Sequence, residues 1–192
     1  PLTEAIRQGF FCTVSGYTCT GLQNSTLQWI PLPLIIITLL MMIGGAAGST
    51  SGGIKTNRVI LGYEGLVWWF KRLFVRGNVI IPFKHEGRNI PRSISEVELS
   101  KNMLIIFLYV ISIFIATIVA LHLVATSFEV HQVVFELVSA QSNVGLGLGY
   151  LTAASPNVLK WIFIIVMWVG RLEIVPVLIL VMGLIGGFEV KS

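Results

Sequence analysis

The chain has 192 residues, of which 55% are hydrophobic and 11% are charged. Soluble domains carry about 25% charged residues. This composition, with a mean hydropathy of +0.86, therefore excludes an ordinary soluble protein and indicates an integral membrane protein. The formal net charge is +4, but the basic residues cluster around one loop, which favours membrane orientation over nucleic-acid binding. Cys12 and Cys19 are too few for a disulfide framework and are predicted to be packing residues. The three histidines share no ligand spacing, so no cofactor is expected in this chain.

The first element, residues 1–28, is too short to cross a bilayer, and it is repeated 124 positions later. Residues 15–22 (SGYTCTGL) align with residues 139–146 (SAQSNVGL), and upstream Gln8, Phe11 and Val14 align with Gln132, Phe135 and Val138. In each copy a mildly apolar stretch ends in hydroxyl residues and a glycine, and a helix long enough to span follows. Repeats in membrane proteins place functional sites on the axis that relates them.

The repeated pattern is typical of a cation filter, although a single copy would read as an ordinary turn after a helix. A pore helix that enters from outside directs its C-terminal end, with about half a negative charge, toward the cavity. The extended segment after it can aim carbonyl oxygens at an ion in place of its water shell. We predict two filter segments: Thr18, Cys19, Thr20 and Gly21, and Ser142, Asn143, Val144 and Gly145. A cation would bind the carbonyls of the first three residues of each.

The second element, residues 29–75, is predicted to be an inner helix broken by a glycine-rich intramembrane loop, residues 44–53. Five glycines in ten residues oppose a helix, because each costs roughly 1 kcal/mol relative to alanine. Non-helical backbone at membrane depth is tolerated only beside protein or water, so the loop predicts a pathway. A helix-packing motif would account for only part of it. A phosphate-binding loop is disfavoured because Ile54 separates Gly53 from Lys55.

Residues 76–101 form a basic linker. The basic residues around it are Lys55, Arg58, Lys71, Arg72, Arg76, Lys84, Arg88, Arg92 and Lys101. Short loops rich in Lys and Arg stay in the cytoplasm, which predicts that this linker lies inside. The remaining predicted elements are an outer helix (102–126), a second pore helix and filter (127–155) and a last inner helix (156–192).

Arg171 lies at mid-span in the last inner helix, where an ionisable residue is costly and usually functional. By the repeat it is level with Gly45, and a guanidinium carries five donors for the carbonyls of a broken helix. We therefore predict that Arg171 latches the loop and opposes cation passage, although a carboxylate elsewhere could instead neutralise it. The predicted gate comprises Gly44, Gly45, Gly48, Ser49, Thr50, Ser51, Gly52, Gly53 and Arg171.

These motifs together resemble the Trk type of the Trk/Ktr/HKT superfamily of potassium transporters. Residues 15–22 resemble its third filter, residues 44–53 its intramembrane loop, residues 142–149 its fourth filter, and residues 170–173 (GRLE) its last inner helix. The resemblance implies an all-α membrane protein with two of the four repeats, each of outer helix, pore helix with filter, and inner helix, that form a potassium-channel-like pore. The first repeat here lacks its outer helix, and the chain opens on Pro1, so we expect a fragment or a processed chain.

The expected function is uptake of potassium, or of sodium, across the plasma (inner) membrane, and no enzyme activity is expected. An intramembrane hydrolase that uses Ser49 or Ser51 is the alternative, but it would need a histidine at the same depth. A purely structural subunit would leave the repeated segments without a role. The resemblance implies as partners the remaining repeats of the pore, a second pore subunit in a homodimer and a cytosolic nucleotide-binding regulatory subunit. Membrane lipid surrounds the chain, and no nucleic acid is expected.

Overall fold

The structure is a computed structural model, which describes residues 2–24, 31–46, 48–49, 51–75, 82–85, 87–124, 128–172 and 174–186. Within these residues the chain forms seven helices and one hairpin of two antiparallel strands. They are α1 (Leu2–Tyr17), α2 (Pro31–Met42), α3 (Thr56–Phe74), β1 (Phe83–His85), β2 (Arg88–Ile90), α4 (Arg92–Leu123), α5 (Val130–Gln141), α6 (Asn157–Leu172) and α7 (Ile174–Gly186).

The broken inner helix consists of α2 and α3, and the non-helical segment between them spans residues 43–55, slightly more than the predicted 44–53. With 12 residues and a rise of about 1.5 Å per residue, α2 is shorter than the hydrocarbon core of roughly 30 Å. Helix α2 is therefore too short to cross a bilayer alone.

Helix α4 is longer than the predicted outer helix, because it begins at Arg92 and has 32 residues. Among the described residues, α4 is the one helix that is by itself long and apolar enough to span a membrane. Its first turns belong to the segment that was assigned to the basic linker. The hairpin of β1 and β2 was not predicted, and Phe83 of β1 packs edge-on against Trp68 of α3, with ring centroids 5.8 Å apart.

In the described residues, the segment predicted as the last inner helix, residues 156–192, is divided into α6 and α7. Helices α6 and α7 together are long enough to span, but their axes differ by 109°. Pro176 lies in the first turn of α7, where its missing N–H cannot bond to the carbonyl four residues earlier, that of Leu172. The bend therefore falls one turn before the proline.

The core is organised around α5, which packs against α2, α4 and α6. Its residues Phe135, Leu137 and Val138 are almost fully buried, so this short helix is enclosed by its neighbours. A reciprocal capping box between Glu129 and Gln132 starts α5. Helix α1, its repeat counterpart, packs against α2. Helix α5 thus ends in the interior of the molecule, next to the break between α2 and α3, whereas α1 ends at the exposed residue Tyr17.

Candidate functional site

The two predicted filter segments have the same backbone conformation. After α1 the N–H groups of Thr18, Cys19 and Thr20 donate to the carbonyls of Val14, Gly16 and Ser15, at 2.9, 3.3 and 3.0 Å. After α5 the equivalent donors Ser142, Asn143 and Val144 bond to Val138, Ala140 and Ser139, at 2.8, 3.0 and 2.9 Å. Every donor and acceptor is 124 residues from its counterpart, so the sequence repeat is also a repeat of hydrogen bonds.

The left-handed backbone positions also repeat. Cys19 and Asn143 both have φ of 53°, and two residues later Gly21 and Gly145 have φ of 73° and 98°. Positive φ is uncommon for residues other than glycine and costs on the order of 1–2 kcal/mol for an L-residue. A cysteine in this conformation indicates that the surrounding bonds impose it. The glycines allow the chain to continue where side chains would be strained.

The two segments lie backbone to backbone. A Cβ atom on Gly21 would lie 1.8 Å from the carbonyl oxygen of Val144, so only glycine fits this position. The Oε1 atom of Gln23 also accepts the N–H of Gly147 at 3.3 Å, across the two repeats. Neither pore helix has a basic residue in its last turn. Both helix C-terminal ends therefore keep their partial negative charge toward this region.

Hydroxyl groups on α4 support the fourth-repeat segment, and sequence reasoning missed them. The Tyr109 hydroxyl and the Ser142 hydroxyl are hydrogen bonded at 2.7 Å, and both residues are buried. The side-chain amide of Gln141 donates to the Ser112 hydroxyl at 2.6 Å. The signal was present, because Tyr109 and Ser112 are polar groups in the apolar middle of α4, where a buried polar group needs a partner.

The glycine-rich loop makes many of its hydrogen bonds with itself and with the start of α3. Ile43 and Ile54 form a parallel bridge, in which Gly44 N–H donates to the Ile54 carbonyl at 2.8 Å. The Thr56 hydroxyl donates to the Gly44 carbonyl at 2.7 Å, and Gly45 N–H donates to the Ser51 hydroxyl at 2.8 Å. The loop is a compact folded segment whose ends are joined. Thr50 lies outside the described residues.

Lys55 supplies two further bonds that the sequence did not lead us to expect. Its Nζ donates to the carbonyls of Ser49 at 2.9 Å and Ser51 at 2.6 Å. This is the chemistry that was predicted for Arg171, namely a cationic donor on free loop carbonyls. The lysine begins α3 and needs only to reach back across its own loop. The comparison of the two repeats does not consider contacts between residues a few positions apart. A search for such local partners of the loop could have identified Lys55.

The loop lies directly against the fourth-repeat filter segment. A Cβ atom on Gly52 would lie 2.4 Å from the carbonyl oxygen of Ser142 and 3.0 Å from the side-chain nitrogen of Asn143. Gly52 is buried, so the contact excludes a side chain. The sequence placed the loop and filter on one axis but did not predict that they touch.

Arg171 is an exposed residue at the end of α6. Its neighbour Gly170 packs against the end of α5, where an added Cβ would lie 1.8 Å from the Gln141 carbonyl oxygen. A small cavity of about 20 Å³ is lined by Gly53 and Ile54 of the loop segment and by Gly170. The motif that contains Arg171 is therefore near the loop. Glu173 lies outside the described residues.

The serine hydroxyls of the loop do not form a nucleophile site in the described residues. Ser49 Oγ and Ser51 Oγ are hydrogen bonded to each other at 2.7 Å, and Ser51 Oγ also accepts the Gly45 N–H. His131 pairs instead with Glu129 at the start of α5, at 3.2 Å. A Ser–His pair, which the hydrolase alternative requires, is not formed by these groups.

Comparison with known proteins agrees with this geometry. The sequence model described as TrkH, cation transport protein, matches residues 1–185. The chain is 33% identical over 176 residues to an uncharacterized cation transporter of Methanocaldococcus jannaschii, which covers 91% of this chain and 36% of that protein. It is 33% identical over 180 residues to the Trk system potassium uptake protein TrkH of Escherichia coli K12. This match covers 91% of this chain and 35% of that protein.

The fold is similar to the crystal structure of the potassium transporter TrkH from Vibrio parahaemolyticus. The TM-score is 0.75 at 27% identity, over 94% of this chain and 38% of that one. The chain spans about a third of the length of the relatives that it matches. The predicted fold class, an all-α membrane protein with pore-helix repeats, is confirmed, and the chain belongs to the TrkH family of cation transport proteins.

Proposed function

We propose that this chain supplies two filter segments and the gate of a pathway for potassium, or sodium, across the plasma (inner) membrane. The single observation that carries the proposal is the matching of backbone hydrogen bonds in residues 18–20 and 142–144, together with the left-handed geometry that recurs at residues 19 and 21 and at residues 143 and 145. One such segment could be a local turn. Two that lie against each other at the C-terminal ends of short helices are suited to share one ion.

The filter would act through backbone carbonyls of Thr18, Cys19, Thr20, Ser142, Asn143 and Val144. These oxygens replace part of the water shell of a monovalent cation, and the negative ends of α1 and α5 favour its charge. The Tyr109–Ser142 bond holds the inner end of one segment at a fixed distance from α4. Selectivity then depends on keeping the carbonyl spacing constant.

The gate would be residues 44–53, and it would close the pathway by contact with the filter. The contact of Gly52 with the Ser142 carbonyl supports this proposal, because an ion leaving the proposed filter would then meet the loop. Lys55 adds a positive charge next to the loop and holds the Ser49 and Ser51 carbonyls. We propose that Lys55 and Arg171 together keep the loop in this position and oppose cation passage.

The assembly around the chain follows from the family and the basic residues. We propose that the ring of filter segments is completed by further repeats, that two pore subunits pair, and that a cytosolic nucleotide-binding subunit regulates them. Residues 76–101 would face the cytoplasm, because the segment is rich in Lys and Arg and is preceded by Lys71 and Arg72. Arg72 bonds to Glu96 at 3.3 Å, which joins α3 and α4 on that side.

The filter assignment is tested by Gly145→Ser. At φ of 98° a serine is strained, yet an added Cβ would meet nothing nearer than the Gly21 Cα at 3.9 Å. The substitution should therefore distort the segment without a clash. We expect the potassium-to-sodium flux ratio to fall by about tenfold, the equivalent of roughly 1–2 kcal/mol of lost ion discrimination. The measurement is ion flux into vesicles that carry the assembled transporter, normalised to folded protein.

Gly9→Ser is the matched control, because an added Cβ there meets nothing within 4 Å and Gly9 lies on α1, away from the filter. It should leave the flux ratio unchanged. Gly21→Ser should lower the ratio more than Gly145→Ser, since its Cβ also overlaps Val144. Unchanged ratios in both filter variants would show that these segments do not select the ion.

A further inference from the structure

Glu136 is a buried carboxylate in the middle of α5, and its role was not predicted from the sequence. It is 6% exposed. Its Oε1 atom accepts three consecutive backbone N–H groups, from Leu148 at 2.6 Å, Gly149 at 2.8 Å and Tyr150 at 3.0 Å. These residues follow the fourth-repeat filter and carry the chain back toward α6. One side chain of the pore helix therefore holds the segment that leaves the filter.

The repeat places a different residue at the equivalent position. Residue 12 is the counterpart of residue 136, and it is a cysteine that is fully buried. Its Sγ lies 3.7 Å from the side-chain oxygen of Asn24, and residue 24 is the counterpart of residue 148. Both repeats thus join the same two positions. The third repeat does so through one weak thiol contact, whereas the fourth uses a carboxylate with three donors.

The backbone just before Leu148 also lies close to the Glu136 carboxylate. A Cβ atom on Gly147 would lie 3.4 Å from the Glu136 Oε1, so the backbone passes close over the carboxylate. The N–H of Gly147 bonds to Gln23 of the other repeat. Residues 147–150 are therefore held by Glu136 of α5 and by Gln23 of the third repeat.

We propose that Glu136 is a positioning residue for the filter, which holds the outer end of residues 142–145 in register through its bonds to residues 148–150. The inference rests on the proposed function of that segment as a filter. On this proposal the fourth filter segment is stiffer than the third, because a carboxylate holds the fourth and only a thiol contact holds the third. Ion discrimination would then depend on the fourth segment more than on the third.

The test combines two measurements on the assembled transporter in vesicles or nanodiscs. Hydrogen exchange of the peptide that contains residues 147–151 reports the clamp directly. The potassium-to-sodium flux ratio, normalised to folded protein, reports its effect on selection. The variants are Glu136→Gln, which has the same shape and keeps one neutral acceptor, and Glu136→Leu, which removes every acceptor. Glu98→Gln, on an exposed glutamate of α4, is the control.

We expect exchange of this peptide to accelerate by about tenfold in Glu136→Leu and less in Glu136→Gln, because a neutral acceptor bonds more weakly than a carboxylate. The flux ratio should fall in the same order, and Glu98→Gln should change neither quantity. If Glu136→Leu does not fold, the graded response of Glu136→Gln, with Cys12→Ser as the third-repeat comparison, decides the question.

Unchanged exchange in Glu136→Gln and Glu136→Leu would overturn the clamp. Faster exchange with an intact flux ratio would overturn the positioning role, while a reduced ratio in Gly145→Ser would leave the filter assignment in place. If Gly145→Ser also leaves the ratio intact, the filter assignment itself fails, and the inference for selection fails with it. The two failures are therefore distinguished by the Gly145 variant.

Discussion

Lys55 is the residue whose contacts most directly fix the position of the loop. Its ammonium group bonds to two loop carbonyls, and hydrogen bonds to charged groups contribute about 1.5–3 kcal/mol each in proteins. A methionine has a similar length but no donor. We expect Lys55→Met to raise ion flux by about tenfold without changing the potassium-to-sodium ratio, because it frees the gate and leaves the filter intact. Flux per folded transporter is the measurement.

Lys71→Met is the control, because Lys71 is an exposed lysine in the last turn of the same helix, α3. It should not change flux. Reduced flux in a folded Lys55→Met transporter would show that Lys55 anchors an open pathway and does not hold a closed one.

Arg171 is tested separately. If it also holds the loop, Arg171→Ala should raise flux, and Arg171→Lys should be intermediate, because an ammonium lacks the forked donors of a guanidinium. A double variant with Lys55→Met shows whether the two cations act on the same equilibrium, since independent effects add. Arg171→Ala that abolishes flux in folded protein would make Arg171 a structural anchor.

At the residue scale, the repeat in the sequence located the filter residues because backbone geometry is local to a few positions. Cys19 and Asn143, which differ chemically, share the same φ, and only their alignment revealed this. Lys55, Tyr109 and Glu136 were not predicted. Their contacts join positions that the spacing of the repeat does not relate. Single side-chain contacts, whether local as for Lys55 or long-range as for Tyr109, leave no periodic signal in one sequence.

Among the elements, the contact between the loop and the filter gives a direct prediction. An added methyl group at Gly52 would lie 2.4 Å from the Ser142 carbonyl oxygen, so Gly52→Ala must displace the loop from the filter. We expect increased ion flux, and a lower potassium-to-sodium ratio if Ser142 moves as well. Gly48→Ala in the same loop is the comparison variant, because an added Cβ there meets nothing within 4 Å and the substitution introduces only the backbone strain of its φ of 84°. Equal flux in the two variants would mean that strain in the loop, and not contact with Ser142, sets the gate.

The length of the apolar stretches and the glycine content predicted which elements are helices and where one is broken. They did not predict several of the element boundaries. Helix α4 begins at Arg92 because charged residues are compatible with a helix that extends beyond the bilayer, and hydropathy marks only its apolar part. The bend between α6 and α7 was missed because both helices are apolar. The hairpin of β1 and β2 was missed because its strands have three residues each, too few to show alternation.

At the scale of the whole molecule, the described residues bring two filter segments together. Known carbonyl filters surround the ion with four such segments. We therefore expect residues 1–192 alone, reconstituted in vesicles, to give no potassium-selective flux, and the assembled transporter to give it. Detection of folded chain by protease protection is the control. Selective flux from the chain alone would show that copies of this chain complete the ring by themselves.

The self-contained bonding of the loop has a consequence for how quickly the pathway can open. A segment that relies on its surroundings for hydrogen bonds must break them before it moves, and each unpaired polar group in a low-dielectric interior costs several kcal/mol. Here Gly44, Gly45 and Thr56 bond within the segment itself. In its proposed role as the gate, we therefore expect the loop to move as one unit about its two joined ends, with its contact at Ser142 opposing the movement.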